Sequence, residues 1–278
     1  MKKDVSLLIV HFNTPGLLRQ TLKGIFDSHP KISFEVIVVD NNPHMRVLPW
    51  VKKEFPLTTI ISTQENIGFG RGMNLAMQKA NARYIFVFNP DIAMFEGVLE
   101  ALTSYMDLHP DIGMLGPKLL YPDRRLQQSC YRFMKSNIIF YRRVPGIRSL
   151  PFAKRAVAHY QMTEWDHESI RDVDYLLGAA MFVRTEAITQ VGGFDEAFFV
   201  YFEDQDWCRR FWLAKWRVVY HPGVCLIHYH RRETAEGSFF AQIKNPLTRI
   251  QLQSALYYYR KYKGQSHPRH DSHTNISP

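Results

Sequence analysis

Four short, nearly unbroken apolar runs are interleaved with helical patterns over the first 120 residues, and each run ends next to polar side chains. The runs are Val5-Ser6-Leu7-Leu8-Ile9-Val10, Phe34-Glu35-Val36-Ile37-Val38-Val39, Leu57-Thr58-Thr59-Ile60-Ile61 and Tyr84-Ile85-Phe86-Val87-Phe88. A strand that is apolar on both faces must be covered on both faces, so this order predicts a parallel sheet with helices on each side. Thr14 and Pro15 mark a helix start, with Leu18, Leu22, Ile25 and Phe26 as its apolar stripe. Gly72 to Ala80 reads as a second helix, burying Met73, Leu75, Ala76 and Ala80, and Val98 to Leu108 as a third. In such sheets ligands bind beyond the carboxyl ends of the strands. The residues there are His11 and Asn13, Asp40-Asn41-Asn42, and Asn89-Pro90-Asp91.

Beyond residue 120 the pattern loosens. From Tyr131 to Asp172 the chain mixes Arg, Lys, Pro and aromatics with weak periodicity, which reads as an irregular or helical insertion. Ala179 to Val183 reads as a strand and Asp204 to Ala214 as a helix with Trp207, Phe211 and Ala214 in the core. Val218 to Tyr220 reads as a short strand and Ile243 to Lys263 as a final helical segment. The tail after Gly264 is polar and is expected to be disordered, with His267, His270 and His273 solvated.

Composition narrows the class. A hydrophobic fraction of 46% over 278 residues is that of a folded globular chain. No apolar run reaches the roughly 18 residues of a membrane span, and the start lacks a signal sequence, so the expectation is a cytosolic chain. Cys130, Cys208 and Cys225 are odd in number and have no CxxC spacing, which argues against a disulfide framework or zinc site. The net charge of +9 favours anionic partners: nucleic acid, an acidic membrane surface or phosphorylated substrates.

Five constellations carry chemistry, and each has a structural alternative. Asp40 could accept a hydrogen bond from a base or ribose, although Asp-Asn-Asn-Pro is also turn chemistry. Asn66-Ile67-Gly68-Phe69-Gly70-Arg71-Gly72-Met73-Asn74 could bring backbone N–H groups and Arg71 to a phosphate, or could be a tight turn. Asp91 could hold a hard divalent cation shared with phosphate oxygens, or cap a helix. Glu203, Asp204 and Asp206 follow the aromatic run Phe198 to Phe202, where burial could raise a carboxyl pKa for general-base work. His228-Tyr229-His230-Arg231-Arg232 could complete a metal shell, nitrogen ligation favouring Mn²⁺ over Mg²⁺, and neutralise a diphosphate.

In order along the chain, His11-Phe12-Asn13, Val38-Val39-Asp40-Asn41-Asn42, Asn66 to Gly70, Asn89-Pro90-Asp91, Gly178-Ala179-Ala180, Gly192-Gly193-Phe194-Asp195, Tyr201 to Asp206 and His228 resemble glycosyltransferase family 2, in its rhamnosyltransferase-like branch. The resemblance runs from Val5 to about Arg232. It implies the α/β GT-A fold: a mostly parallel central sheet flanked by helices over residues 1–232, with a donor half to about 120 and an acceptor half after it. A helical extension at 233–264 and a tail at 265–278 follow. It implies a nucleoside-diphosphate sugar donor, a divalent metal (Mn²⁺ or Mg²⁺) and inversion at the anomeric carbon. Asp40 matches the base-binding aspartate and Asp91 the metal ligand, with Asn89 where the motif's first Asp would stand. Asp204 matches the catalytic base, with Glu203 as its rival, and His228 a third metal-site residue. The implied donor site includes His11, Asn13, Asp40, Asn42, Asn66, Gly68, Gly70, Arg71, Asn74, Asn89 and Asp91. Gly178, Asp206 and Arg231 fall on the acceptor side.

The function read from this is transfer of a sugar, rhamnose from dTDP-rhamnose, to a lipid-linked glycan of the bacterial surface. The protein would be cytoplasmic or peripheral on the inner membrane face. The basic middle segment and Tyr257-Tyr258-Tyr259-Arg260-Lys261-Tyr262-Lys263 suit contact with an anionic membrane. The alternatives are a family 2 transferase with another donor such as a UDP-sugar, or a nucleotide-sugar-binding protein without turnover. No motif supports a nucleic-acid partner.

Overall fold

The computed structural model describes residues 2–44, 46–144, 146–229 and 245–269. The donor half runs β1 (Lys3–His11), α1 (Pro15–Asp27), β2 (Phe34–Asp40), α2 (Leu48–Glu54), β3 (Thr58–Ser62), α3 (Phe69–Met77), β4 (Ala82–Phe88), β5 (Ile92–Ala93), α4 (Val98–Leu108) and β6 (Ile112–Leu120). Next come β7 (Leu126–Gln127), β8 (Cys130–Tyr131), α5 (Ser136–Arg143), α6 (Pro151–Tyr160), β9 (Arg171–Asp172), β10 (Tyr175–Leu176), β11 (Ala180–Arg184), α7 (Thr185–Val191), α8 (Glu203–Leu213), β12 (Arg217–His228) and α9 (Pro246–Lys261).

The main sheet has the order β3-β2-β1-β4-β11-β6-β12-β5. Strands β1 to β4 are mutually parallel, β6 and β12 point the same way, and β11 and β5 run against them. Period-2 alternation sends Val5, Leu7 and Ile9 of β1 to one face and Leu8 and Val10 to the other. The same split occurs in β2, with Val36 and Val38 against Ile37 and Val39, and in β4, with Phe86 and Phe88 against Ile85 and Val87. Helix α1 covers the first face through Leu18, Leu22 and Ile25, and α4 through Leu99, Leu102 and Met106. The second face is closed by Met73 and Ala76 of α3 and by Trp207 and Phe211 of α8. Each Leu, Ile, Met or Phe among these, once fully buried, contributes about 1.5–3 kcal/mol.

Several boundaries differ from the sequence expectation. Strand β6 was not anticipated, because Gly113, Gly116 and Pro117 interrupt its apolar pattern. A Cβ at Gly116 would stand 2.3 Å from Leu176 Cδ2, so that buried side chain would have to shift. Strand β12 extends from the expected three residues to twelve, and α3 begins at Phe69 instead of Gly72. Ala214, expected in the core, is exposed at the end of α8, whereas Trp207 and Phe211 are fully buried. The loosely patterned middle forms α5 and α6, which pack on each other and anchor through Ile138, Ala153 and Tyr160.

The start of the tail is ordered, contrary to expectation. His267 Nε2 and Arg269 Nη1 lie 2.9 and 2.7 Å from the two oxygens of buried Asp174, and Arg209 donates to Ser266 O at 2.8 Å. A buried carboxylate demands partners, and the tail supplies them. Helix α9 is capped by Asn245, whose side chain accepts from Leu247 N, and it packs Ala255 and Tyr258 on Phe198 and Phe202.

Candidate active site

Because β1, β2, β4 and β12 share one direction, His11, Asp40, Phe88 and His228 end at the same edge of the sheet. Strand β11 begins at that edge, with Ala180 opposite Phe88 and Asn89 N donating to Ala179 O at 2.9 Å. The sheet therefore delivers the chemistry-bearing residues to one rim, as parallel topology requires.

The segment before α8 aims two carboxylates into a cleft. Tyr201 and Phe202 both have φ +70°, a left-handed backbone that costs about 1–2 kcal/mol for a non-glycine residue. The resulting turn directs the first residues of α8 toward a cleft of about 390 Å³ lined by Asn89, Gly178, Glu203, Asp204, Gln205 and His228 on its chemical side. Aromatic rings form the opposite wall: Tyr131 stacks on Tyr160 at 5.1 Å and on Tyr175 at 5.0 Å between centroids. Arg142 is the one Lys or Arg among the cleft's described lining residues.

Asp204 accepts from Gly178 N at 3.1 Å and from Gln205 N at 2.7 Å. Burial nevertheless dominates and pushes its carboxyl up to about 6, the two N–H donors pulling the other way. Its neighbour Glu203 is buried, and burial together with the Asp204 charge raises its pKa well above the usual range. Glu203 Oε2 has no hydrogen-bond donor among the described residues. Burial thus raises both carboxyls of the pair above the ordinary range, and the Asp204 charge further opposes ionisation of Glu203.

At the other end of the cleft, β5 pairs with β12 so that Ile92 faces His228, and Tyr229 N donates to Asp91 O at 2.8 Å. His228 Nε2 then lies 3.1 Å from Asp91 Oδ1, and its Nδ1 lies 2.9 Å from the amide oxygen of buried Gln127. Donation from Nδ1 to Gln127 turns the Nε2 lone pair toward Asp91, whose Oδ1 is buried without a hydrogen-bond donor among the described residues. Two such donor atoms fit a divalent cation, because adjacent ligands of an octahedral ion with bonds near 2.1 Å stand about 3.0 Å apart. Among the described residues no group of three or more His, Cys, Asp or Glu forms a cage. An Asp–His pair of this kind offers one carboxylate oxygen and one imidazole nitrogen to such an ion.

Other residues have structural tasks. Asp40 is fully buried, taking His11 Nδ1 at 3.3 Å on one oxygen and Val47 N at 3.1 Å on the other. Thr14 N donates to His11 Nε2 at 3.2 Å, so the ring proton sits on Nδ1, and burial holds the His11 pKa down. This pair organises the loop at the β2 end, and its carboxylate is not presented to a ligand surface. Asn42 donates to Asn13 Oδ1 at 2.6 Å, and Asn66 Oδ1 accepts from Asn41 at 2.8 Å and Gly68 N at 3.0 Å.

The glycine loop packs closely on the segment before α8. Gly68 has φ +85°, and a Cβ there would lie 2.4 Å from Phe199 O, while Phe69 N donates to that same oxygen at 2.9 Å. Gly70 packs on Phe194. Asn74 exchanges hydrogen bonds with Phe194 N and O at 2.8 and 2.9 Å, and Arg71 Nε donates to Glu196 O at 3.2 Å. These residues tie α3 to the segment before α8, and Arg71 keeps an exposed side chain. Asp206, expected on the acceptor side, is fully buried and binds Arg210 at 2.8 Å, Lys261 at 2.6 Å and Tyr262 at 2.8 Å. Arg231 lies outside the described residues, as do His230 and Arg232. Sequence reasoning missed Gln127 and the tyrosine wall, since neither carries a motif.

The family model described as "Glycosyltransferase like family 2" matches residues 3–249. The chain belongs to glycosyltransferase family 2. Among family 2 relatives, the N-acetylglucosaminyl-diphospho-decaprenol L-rhamnosyltransferase of Mycobacterium tuberculosis is 29% identical over 215 residues, covering 72% of this chain and 67% of that protein. The rhamnosyltransferase WbbL of Escherichia coli K12 is 27% identical over 254 residues, covering 86% and 87%. Among solved structures, GalNAc-T7 with UDP, GalNAc and Mn²⁺ superposes with a TM-score of 0.65 at 15% identity, over 94% of this chain and 49% of that one. This chain thus spans about half of that structure. The mannosyltransferase PcManGT of Pyrobaculum calidifontis, in complex with GDP-Man and Mn²⁺, gives 0.55 at 14% identity over 96% and 77%. The family 2 chain has the GT-A fold of these neighbours, and two of them were solved with Mn²⁺.

Proposed function

We propose that this family 2 transferase moves a sugar, L-rhamnose from a nucleoside-diphosphate donor, onto a hydroxyl of a lipid-diphosphate-linked glycan, with inversion at the anomeric carbon. The observation that carries the reading is the cleft that holds both ends of the chemistry: buried Asp204, held by Gly178 N–H, and His228, paired with Asp91. The rhamnosyltransferase names of two relatives support the sugar, and the decaprenol-linked substrate named for one supports the acceptor class. Contact with an anionic membrane belongs to the same reading, since the acceptor would reside there. The names of the relatives, an O-antigen biosynthesis protein among them, also support a place in cell-surface glycan synthesis.

Asp91 Oδ1 and His228 Nε2 would hold the divalent cation, oriented by Gln127. Bound there, it would supply positive charge to the leaving diphosphate. Asp204, held by Gly178 N–H, takes the proton from the acceptor hydroxyl as its oxygen bonds to the anomeric carbon and the bond to the diphosphate breaks. Burial and the Asp204 charge both oppose ionisation of its neighbour Glu203. The tyrosine wall offers flat apolar faces to a sugar ring.

Incubation of the purified protein with a panel of nucleotide sugars and Mn²⁺, followed by nucleoside-diphosphate release, tests the proposal. The expected result is release from dTDP-rhamnose above all others, lost in Asp91→Ala. Equal release across the panel, or metal-independent donor binding by the variant, would overturn the donor or the metal assignment respectively.

A further inference from the structure

Between Asp123 and Glu164 the chain carries nine Lys and Arg residues and no Asp or Glu. The whole protein has 35 Lys and Arg against 26 Asp and Glu, so the remaining residues carry equal numbers of each sign. The entire charge excess of the molecule therefore belongs to one segment, and that segment includes α5 and α6.

The structure turns this into a surface. Lys135, Arg142, Arg148, Lys154 and Arg155 are exposed, and none joins an ion pair among the described residues. Set among them are three large apolar side chains in water: Phe140 at 52% exposure, Leu150 at 42% and Phe152 at 55%. Phe140 and Phe152 meet across Tyr141, with centroids 6.5 and 5.5 Å from its ring. The inner side of the hairpin is anchored by Ile138, Ala153 and Tyr160, and Arg143 fastens it to Thr248 and Gln251 of α9. The outward face is thus a supported feature of the fold, with apolar tips ringed by cations.

We infer that the α5–α6 hairpin is a membrane-docking surface that binds anionic phospholipid headgroups through Arg148, Lys154 and Arg155 and inserts Phe140, Leu150 and Phe152 at the headgroup–acyl boundary. Uncompensated cations interleaved with exposed aromatic and aliphatic chains match an anionic interface. A second copy of the chain would bring the same positive face and be repelled. Nucleic acid would satisfy the cations but not the apolar tips. The hairpin also sets the active-site cleft against the bilayer: Arg142 and Tyr160, from the same two helices, line it. A lipid-linked acceptor would then reach Asp204 from the membrane side, a consequence that rests on the acceptor reading above, whereas the docking surface itself does not.

Co-sedimentation of the full chain with vesicles of phosphatidylcholine alone, and of phosphatidylcholine mixed with phosphatidylglycerol, tests the inference. Binding is expected only to the anionic vesicles, weakening as salt rises. The triple variant Arg148→Ser, Lys154→Ser, Arg155→Ser should bind on the order of a hundredfold more weakly. Phe140→Ser with Phe152→Ser should lose the binding that survives moderate salt. Both variants should release nucleoside diphosphate from donor in solution at the unaltered rate, which separates loss of docking from loss of chemistry. Equal binding to neutral vesicles, no binding of the unaltered protein to either, unchanged binding of the triple variant, or preferential capture by duplex DNA added in competition would overturn the assignment.

Discussion

At Asp204, burial and hydrogen bonding pull one carboxyl in opposite directions, and burial wins. Its native pKa of about 6 lies above the ordinary aspartate value, so the folded state holds this proton more tightly than the unfolded chain does. Stability is therefore drawn down as pH rises from about 4 to 6. Turnover rises over the upper part of that window, because the base must be ionised. Asp204→Asn should lower kcat by about 10²–10⁴-fold while leaving donor affinity unchanged by calorimetry. Its melting temperature should equal or exceed that of the unaltered protein at pH 7, with the advantage shrinking toward pH 4. Glu203→Gln should keep kcat within a few-fold, since it replaces an acid whose ionisation is already opposed with a neutral isostere. A pH–rate profile with its acid limb near 6 in Glu203→Gln, as in the parent, would assign the base to Asp204. The candidate base pair was legible in the sequence as carboxylates behind an aromatic run. Their different surroundings were not, since Gly178, just before β11, reaches Asp204 only through the tertiary fold. Gln127 belongs to the same scale. Gln127→Leu should weaken Mn²⁺ binding by about 10–100-fold without unfolding the protein, measured by titration calorimetry.

Among elements, the contact of α3 with the segment 194–199 fixes the approach to α8. Gly68→Ala puts a Cβ 2.4 Å from Phe199 O at φ +85°, so both backbone conformation and space oppose it. The expected cost is about 2–4 kcal/mol, read as a shift in denaturant midpoint, with a fall in kcat because Tyr201 and Phe202 move with that segment. The three glycines at alternate positions signal close backbone approach in any reading. Whether the neighbour is a phosphate or a peptide carbonyl is invisible locally, since both accept the same N–H. Helix positions with strong periodicity were legible, α4 matching at both ends. Strand β6 was not, because Gly113, Gly116 and Pro117 break the pattern that identifies a strand.

Across the whole molecule, the C-terminal part closes over the second face. Asp174 is buried between His267, Arg269 and Phe133 N, and its pKa lies below the ordinary value: burial alone would raise it, but these partners outweigh it. A lowered carboxylate contributes stability above its unfolded pKa and loses it as pH falls through the folded value. Removing residues 265–278 should cost on the order of 2–3 kcal/mol at pH 7, discounted because the two cations are a third exposed. The loss should shrink below about pH 4, where Asp174 protonates in the unfolded chain. A chemical-denaturation series over pH 3–7 on the truncated and intact chains would check the sign.

The alternation of apolar runs and helical stripes determined the parallel sheet, its two covered faces and the edge at which polar residues collect, because these follow from periodicity and backbone hydrogen bonding along the chain. The ordered motifs also determined the family. The tertiary structure alone decided which motif residues share the cleft. Asp91 meets His228 only because β5 pairs with β12, and Asp40, Asn74 and Asp206, equally acidic or polar in sequence, are consumed by internal partners. A side chain's chemistry is written in its type, but its availability depends on what long-range packing sets beside it.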